Sequence, residues 1–156
     1  MSIEPSGPDQ EAPRLSIVIP TCRRPALVLR CLEAVVGQRI EPSAFEVIVV
    51  DDGRTADTQA AVNAFANRHA ATHRVRYVRP EHGRGPAAAR NRGWRLARAE
   101  VIAFTDDDTI PDPDWLAEGE RALGQELAAV AGRVKVPVRT GSAANRERPS
   151  RCAPAP

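Results

Sequence analysis

Two apolar runs in this chain stop abruptly on aspartates. Phe45-Glu46-Val47-Ile48-Val49-Val50 meets Asp51-Asp52-Gly53, and Val101-Ile102-Ala103-Phe104 passes through Thr105 into Asp106-Asp107-Asp108. Runs this short, with apolar side chains on both sides of the backbone, suit strands buried on two faces, the pattern of a parallel sheet sandwiched by helices. Leu15-Ser16-Ile17-Val18-Ile19, stopped by Pro20, predicts a first strand of the same kind, and Val75-Arg76-Tyr77-Val78 a shorter third one.

The segments between these strands have helical spacing. After Pro25, a favourable helix start, Val28, Leu32, Val35 and Val36 fall on one face at i, i+4, i+7 and i+8. Val62, Phe65 and Ala66 predict a second helix, and Ala89, Gly93, Leu96 and Ala97 a third. A fourth helix is expected near Asp114 to Leu123, followed by a strand near Ala129 to Pro137. Strands alternating with helices give right-handed βαβ units, so the expected class is α/β, a mostly parallel sheet with helices on both faces.

The length of 156 residues allows one domain, and 42% apolar with 27% charged residues is an ordinary globular balance. The net charge of +2 comes from mixed signs and forms no block that would mark a nucleic-acid binder. No apolar run approaches the ~20 residues of a membrane span. Residues 1–13 read as a flexible leader without signal-peptide order, residues 14–138 as the domain, and residues 139–156, rich in Arg, Ser, Ala and Pro, as a disordered tail. The expected location is the cytoplasm, with peripheral membrane association left open. Cys22, Cys31 and Cys152 lack metal or redox spacing and are expected to be free thiols.

Ligands of open parallel sheets bind beyond the carboxyl ends of the strands. Three clusters fall at that edge: Thr21-Cys22-Arg23-Arg24, Asp51-Asp52-Gly53 and Asp106-Asp107-Asp108. Successive carboxylates repel one another, and a hard divalent cation such as Mg²⁺ or Mn²⁺ relieves that with oxygen ligands. In extended backbone Asp106 and Asp108 would share one side, with Asp107 pointing elsewhere. The same aspartates also suit a polar turn that caps the helix near Pro113, and Asp-Gly is a common turn dipeptide. Gly83 and Gly85 precede a helix where amides could approach phosphate, or form an exposed turn. Arg90 could pair with phosphate or with the aspartates, or lie exposed on its helix.

In their order along the chain, these residues resemble the inverting family 2 glycosyltransferases of GT-A fold. The resemblance rests on Ser16-Ile17-Val18-Ile19-Pro20-Thr21, on Glu46 to Gly53, on Gly85-Pro86-Ala87-Ala88-Ala89-Arg90-Asn91-Arg92-Gly93, and on Phe104 to Asp108 with Pro113-Asp114-Trp115-Leu116. It covers about residues 14 to 138 and implies an incomplete GT-A domain that binds a nucleotide-diphosphate sugar. The implied donor site comprises Pro20, Thr21, Arg23, Asp51, Asp52, Arg90, Asp106 and Asp107, with Thr21 and Asp52 at the base and Asp51 close by. Asp106 and Asp108 are the implied ligands of Mg²⁺ or Mn²⁺. The acceptor, whether glycan, lipid or small molecule, is not legible.

The resembled family uses an Asp or Glu late in the domain as base, but after Glu126 the only acidic residue is Glu147. No base is identified. A donor-binding module without catalysis is therefore the alternative to a sugar-transferring enzyme. A nucleotidyltransferase ranks below both, because no glycine-rich basic loop follows Ile19.

Overall fold

A computed structural model of the chain describes residues 12–82, 84–124 and 128–135. Its elements in chain order are β1 (Leu15–Thr21), α1 (Pro25–Val36), β2 (Phe45–Asp51), α2 (Ala56–His69), β3 (Arg74–Val78), α3 (Pro86–Leu96), β4 (Val101–Phe104) and α4 (Trp115–Leu123), with a 3₁₀ turn at Pro42–Ala44. The four strands form one parallel sheet in the order β3-β2-β1-β4. Leu15 lies beside Phe45 on one flank and Val101 on the other, so the strands start level and β1 and β2 run on together to Thr21 and Asp51.

Side-chain alternation along the strands divides the core into two layers. Leu15, Ile17, Ile19, Phe45, Val47 and Val49 pack against Val28, Cys31, Leu32 and Val35 of α1, Val62 and Phe65 of α2, and Leu116 of α4. Val18, Ile48 and Val50 face the other way, onto Ala89 of α3. Each large apolar side chain removed from water contributes about 1.5–3 kcal/mol, so the two fully buried central strands carry much of the stability.

The α3 layer depends on Gly93. A Cβ there would overlap Val18 Cγ1 and lie 3.1 Å from Cγ2, so the absence of a side chain sets how closely α3 approaches β1. At the opposite end of the strands from the acidic clusters, the buried Glu46 carboxylate accepts hydrogen bonds from Ser16 Oγ at 2.8 Å, Arg98 N at 2.8 Å, Arg98 Nε at 3.2 Å and Arg76 Nη2 at 3.3 Å. This paired anchor satisfies a charge that would be costly alone.

Several expectations are corrected. Pro20 does not stop β1 but continues it, paired in register with Val50. The Val18 carbonyl accepts from Thr105 N at 3.3 Å, so Val18 and, two residues on, Pro20 direct their backbone polar groups toward the β4 flank. Pairing with β4 ends at Val18 and Phe104, so the N–H that proline lacks has no strand to meet. The strand expected near Ala129 to Pro137 does not form over residues 128–135, where Val130 and Val134 are exposed; apolar residues make a strand only with a ladder partner for the backbone. Residues 136–137 and the whole tail 139–156 lie outside the described residues, as does the leader apart from residues 12–13. Cys31 is free as expected, and buried, but Cys22 is disulfide-bonded, because sequence spacing does not report which thiols meet in space.

Candidate functional site

In the order β3-β2-β1-β4 the chain first builds outward from β1 on one side, then returns to place β4 on its other side. The strand order thus reverses at β1, and the ends of β1 and β4 lie side by side at the carboxyl edge, the position where open α/β sheets bind ligands. Thr21 to Arg24 lie at the end of β1 and Asp106 to Asp108 follow β4, and Asp51 and Asp52 lie at the end of the adjacent β2.

Asp51 is wholly buried and works as the organiser of its turn. One oxygen accepts Gly53 N at 2.8 Å, and the other accepts Thr55 N at 3.3 Å and Tyr77 Oη at 2.8 Å. Gly53 allows this turn to meet the β1 loop, since a Cβ would come within 2.7 Å of both Arg23 N and Arg23 Cγ. Arg23 itself has φ of 54° and an exposed side chain.

Asp52 is placed differently. Its N–H donates to the Thr21 carbonyl at 3.0 Å, and its Oδ2 accepts Gly85 N at 2.7 Å. The remaining oxygen, Oδ1, is buried without a partner among the described residues. A buried acceptor of this kind is uncommon and fits a donor brought by a ligand. Gly85, at φ of 92° before α3, thus spends its amide on Asp52 and not on phosphate; Gly83 lies outside the described residues.

The acidic triplet splits its duties. Asp107 is buried, its Oδ2 accepting Thr21 Oγ1 at 2.7 Å and its Oδ1 accepting Arg24 Nη1 at 3.3 Å. Burial pushes the Asp107 carboxyl above the usual carboxylate range, against the pull of the Thr21 hydrogen bond and the Arg24 charge. Asp106 and Asp108, about two-fifths exposed, reach the surface instead. Arg90 Nη2 donates to Asp106 Oδ1 at 2.6 Å, and Asp108 Oδ2 lies 3.7 Å from Arg24. The triplet does not cap α4, which begins only at Trp115; Asp112 Oδ1 accepts Asp114 N at 3.1 Å there.

Among the described residues no three acidic, His or Cys side chains converge on one point, so these residues form no complete metal cage. What they offer is a pair of outward carboxylates of hard-oxygen type. That set fits a cation such as Mg²⁺, which typically takes one or two carboxylates together with substrate phosphates. An open hollow of about 580 Å³ lies beside this site, lined by Ala87, Arg90, Asn91, Trp94, Ile102 and Phe104; it shares Arg90 with the site but none of the aspartates.

Of the residues expected at the site, the structure brings Thr21, Asp52 and Asp107 into one bonded group, and Arg90 onto Asp106. Asp51 lies beneath them and Arg23 on the surface beside them. Pro20 is buried in the strand leading to Thr21. Arg24 belongs to the cluster expected at this edge, but its bridging of Asp107 and Asp108 was not foreseen. Its only sequence signal is the basic pair before Pro25, and nothing in that pair shows which arginine turns inward.

A parallel α/β sheet with carboxylates gathered where its strand order reverses defines an open-sheet α/β domain with its ligand-binding edge at the strand carboxyl ends. Residues 16–153 match the family described as Glycosyl transferase family 2. The chain belongs to that family. It is 40% identical over 111 residues to validoxylamine A glucosyltransferase of Streptomyces hygroscopicus subsp. limoneus, a match covering 70% of this chain and 24% of that protein. It is 36% identical over 110 residues to hyaluronan synthase of Pasteurella multocida, covering 70% of this chain and 11% of the other. The mannosyltransferase PcManGT from Pyrobaculum calidifontis, solved in complex with GDP-Man and Mn²⁺, superposes with a TM-score of 0.66 at 29% identity, over 80% of this chain and 36% of that one. These matches bear out the GT-A expectation. The chain spans about a quarter or less of the length of these two curated relatives. No helix among the described residues is long and apolar enough to cross a membrane.

Proposed function

We propose that this chain is the donor-binding part of a glycosyltransferase that takes a nucleotide-diphosphate sugar and passes the sugar, with inversion, to an acceptor hydroxyl. The observation that carries this reading is the buried Asp52 Oδ1, without a partner among the described residues and set through Thr21 against the Asp106–Asp108 turn. One end suits a polar N–H of a base or a ribose hydroxyl, and the other suits a diphosphate.

In this reading Asp52 receives the nucleoside, and Asp51 holds the turn that presents it. Pro20 lies beneath the base, and Arg23 covers it from the exposed loop. Asp106 and Asp108 would hold Mg²⁺ or Mn²⁺ with the diphosphate. When bound, that cation offsets the negative charge growing on the nucleoside diphosphate as it leaves. The GDP-Man and Mn²⁺ bound to the mannosyltransferase neighbour support that assignment. Arg90 would turn from Asp106 to a phosphate oxygen once a cation neutralises the carboxylate. The acceptor is a glycan, a lipid or a small molecule, and the acceptor-activating base is not assigned to any residue. Residues 14–138 are proposed as the folded unit.

Calorimetric titration of the purified chain with uridine, guanosine and thymidine diphosphate sugars, each with and without Mn²⁺, tests the proposal. Mn²⁺-dependent binding of at least one donor is expected. No Mn²⁺-dependent heat with any of them refutes it.

A further inference from the structure

Asp107 stands between the two aspartates proposed to meet the cation, yet both of its oxygens are committed to protein groups. Thr21 Oγ1 donates to Oδ2 at 2.7 Å and Arg24 Nη1 to Oδ1 at 3.3 Å, and the residue is 6% exposed. A carboxylate is costly to bury unless hydrogen-bonded and paired, and here both requirements are met by the loop that follows β1.

Thr21 is bonded in two directions. Its hydroxyl reaches Asp107, while its carbonyl accepts the Asp52 N–H at 3.0 Å. One residue thus joins the strand end that presents Asp52 to the turn that presents Asp106 and Asp108. The neighbours of Asp107 in sequence both reach the surface. Fixing the middle carboxylate inward fixes the rotation of the turn, and with it where the two outer carboxylates emerge. A small octahedral cation at 2.0–2.1 Å from its ligands tolerates little error in that placement.

We infer that Asp107 is a positioning residue, which together with Thr21 locks the acidic turn to the end of β1 and so sets the distance between the nucleoside-binding carboxylate and the cation-binding pair, without itself touching the donor. This rests on the donor-binding reading above. It reassigns Thr21 and Asp107 from ligand contacts to the internal strut of the site.

The test compares wild type with Thr21→Val, Thr21→Ser and Asp107→Asn. For each, the affinity for uridine diphosphate or guanosine diphosphate, whichever wild type binds, is measured by calorimetry with and without Mn²⁺, and thermal melting records whether the variant is folded. Thr21→Val is isosteric and suits a strand, so it retains a folded protein if Asp107→Asn does not. The expected result is a loss of tenfold or more in the Mn²⁺-dependent gain in affinity for Thr21→Val and Asp107→Asn. Metal-free affinity should change less than twofold, and Thr21→Ser should keep the full gain. An undiminished Mn²⁺ gain in Thr21→Val overturns the inference, as does an equal fall in metal-free affinity, which would mean direct contact with the nucleotide. If wild type itself shows no Mn²⁺ gain, the donor-binding reading fails and takes this inference with it.

Discussion

Asp52 and Gly85 are joined across 33 positions of sequence by a single 2.7 Å hydrogen bond from the glycine amide to Oδ2 of the carboxylate. The bond ties the turn after β2 to the start of α3 and fixes the rotation of the Asp52 side chain. Its other oxygen is held in place, buried and without a partner among the described residues.

A ligand hydrogen bond to that charged acceptor contributes about 1.5–3 kcal/mol. Asp52→Ala is therefore expected to weaken binding of a nucleoside diphosphate by roughly ten- to a hundredfold. Calorimetry checks this, with thermal melting to confirm folding. Unchanged affinity would show that the ligand does not use Asp52.

Gly93→Ala places a methyl group against Val18, whose side chain is fully buried in the α3 layer. Overpacking of this kind costs about 1–3 kcal/mol. Urea denaturation should show that loss, and Val18→Ala in the same chain should recover part of it. A fully additive double variant would mean that α3 shifts away instead of clashing.

Cys31 packs against β1 and donates its S–H to the Asp106 carbonyl at 3.5 Å. Burial, reinforced by the charges of Asp107, Asp106 and Asp108 and opposed by Thr109, pushes the thiol up to about 11. With little thiolate and no exposure, Cys31 should resist iodoacetamide at pH 8 in the native protein and react readily in urea. Mass spectrometry of the labelled peptide gives the answer, and rapid native labelling would contradict the packing described.

His73 carries a pH dependence. Burial, then the nearby charge of His69, lowers its affinity for a proton below the ordinary value of 6.5, against a smaller opposing effect from the Val36 backbone. The unfolded chain therefore binds the proton more readily, and stability falls as pH drops below about 6.5 toward the lower folded value. The ring rests 5.6 Å from Phe45 and 6.0 Å from His69. Melting temperature measured from pH 7.5 to 5 should decline less in His73→Gln than in wild type; parallel declines would place the effect elsewhere.

Much of the fold was legible because its strands are dense apolar runs and its helices present one clear face. Val28, Leu32 and Val35 fell on the buried side of α1 as their spacing requires. Pro20 misled because a proline reads as a stop unless the flank that lacks a neighbouring strand is known. The segment from Ala129 misled because apolar content cannot report whether a ladder partner exists. At the site, the position of each acidic cluster after its strand was readable, since strand ends share one edge of a parallel sheet. The division of labour within the triplet was not. Thr21 and Asp107 are 86 positions apart, and only their meeting in space shows that the middle aspartate turns inward. The pairing of Arg24 with Asp107 and Asp108 was missed for the same reason.

The central claim is that Asp106 and Asp108 hold a cation against a donor's diphosphate. It is tested most directly by comparing Mn²⁺-dependent binding of a nucleotide-diphosphate sugar in wild type and in Asp108→Ala. The account predicts that Asp108→Ala removes most of the affinity gained with Mn²⁺ and leaves metal-free binding of the nucleoside moiety nearly intact. An Mn²⁺ response in Asp108→Ala equal to that of wild type would contradict it.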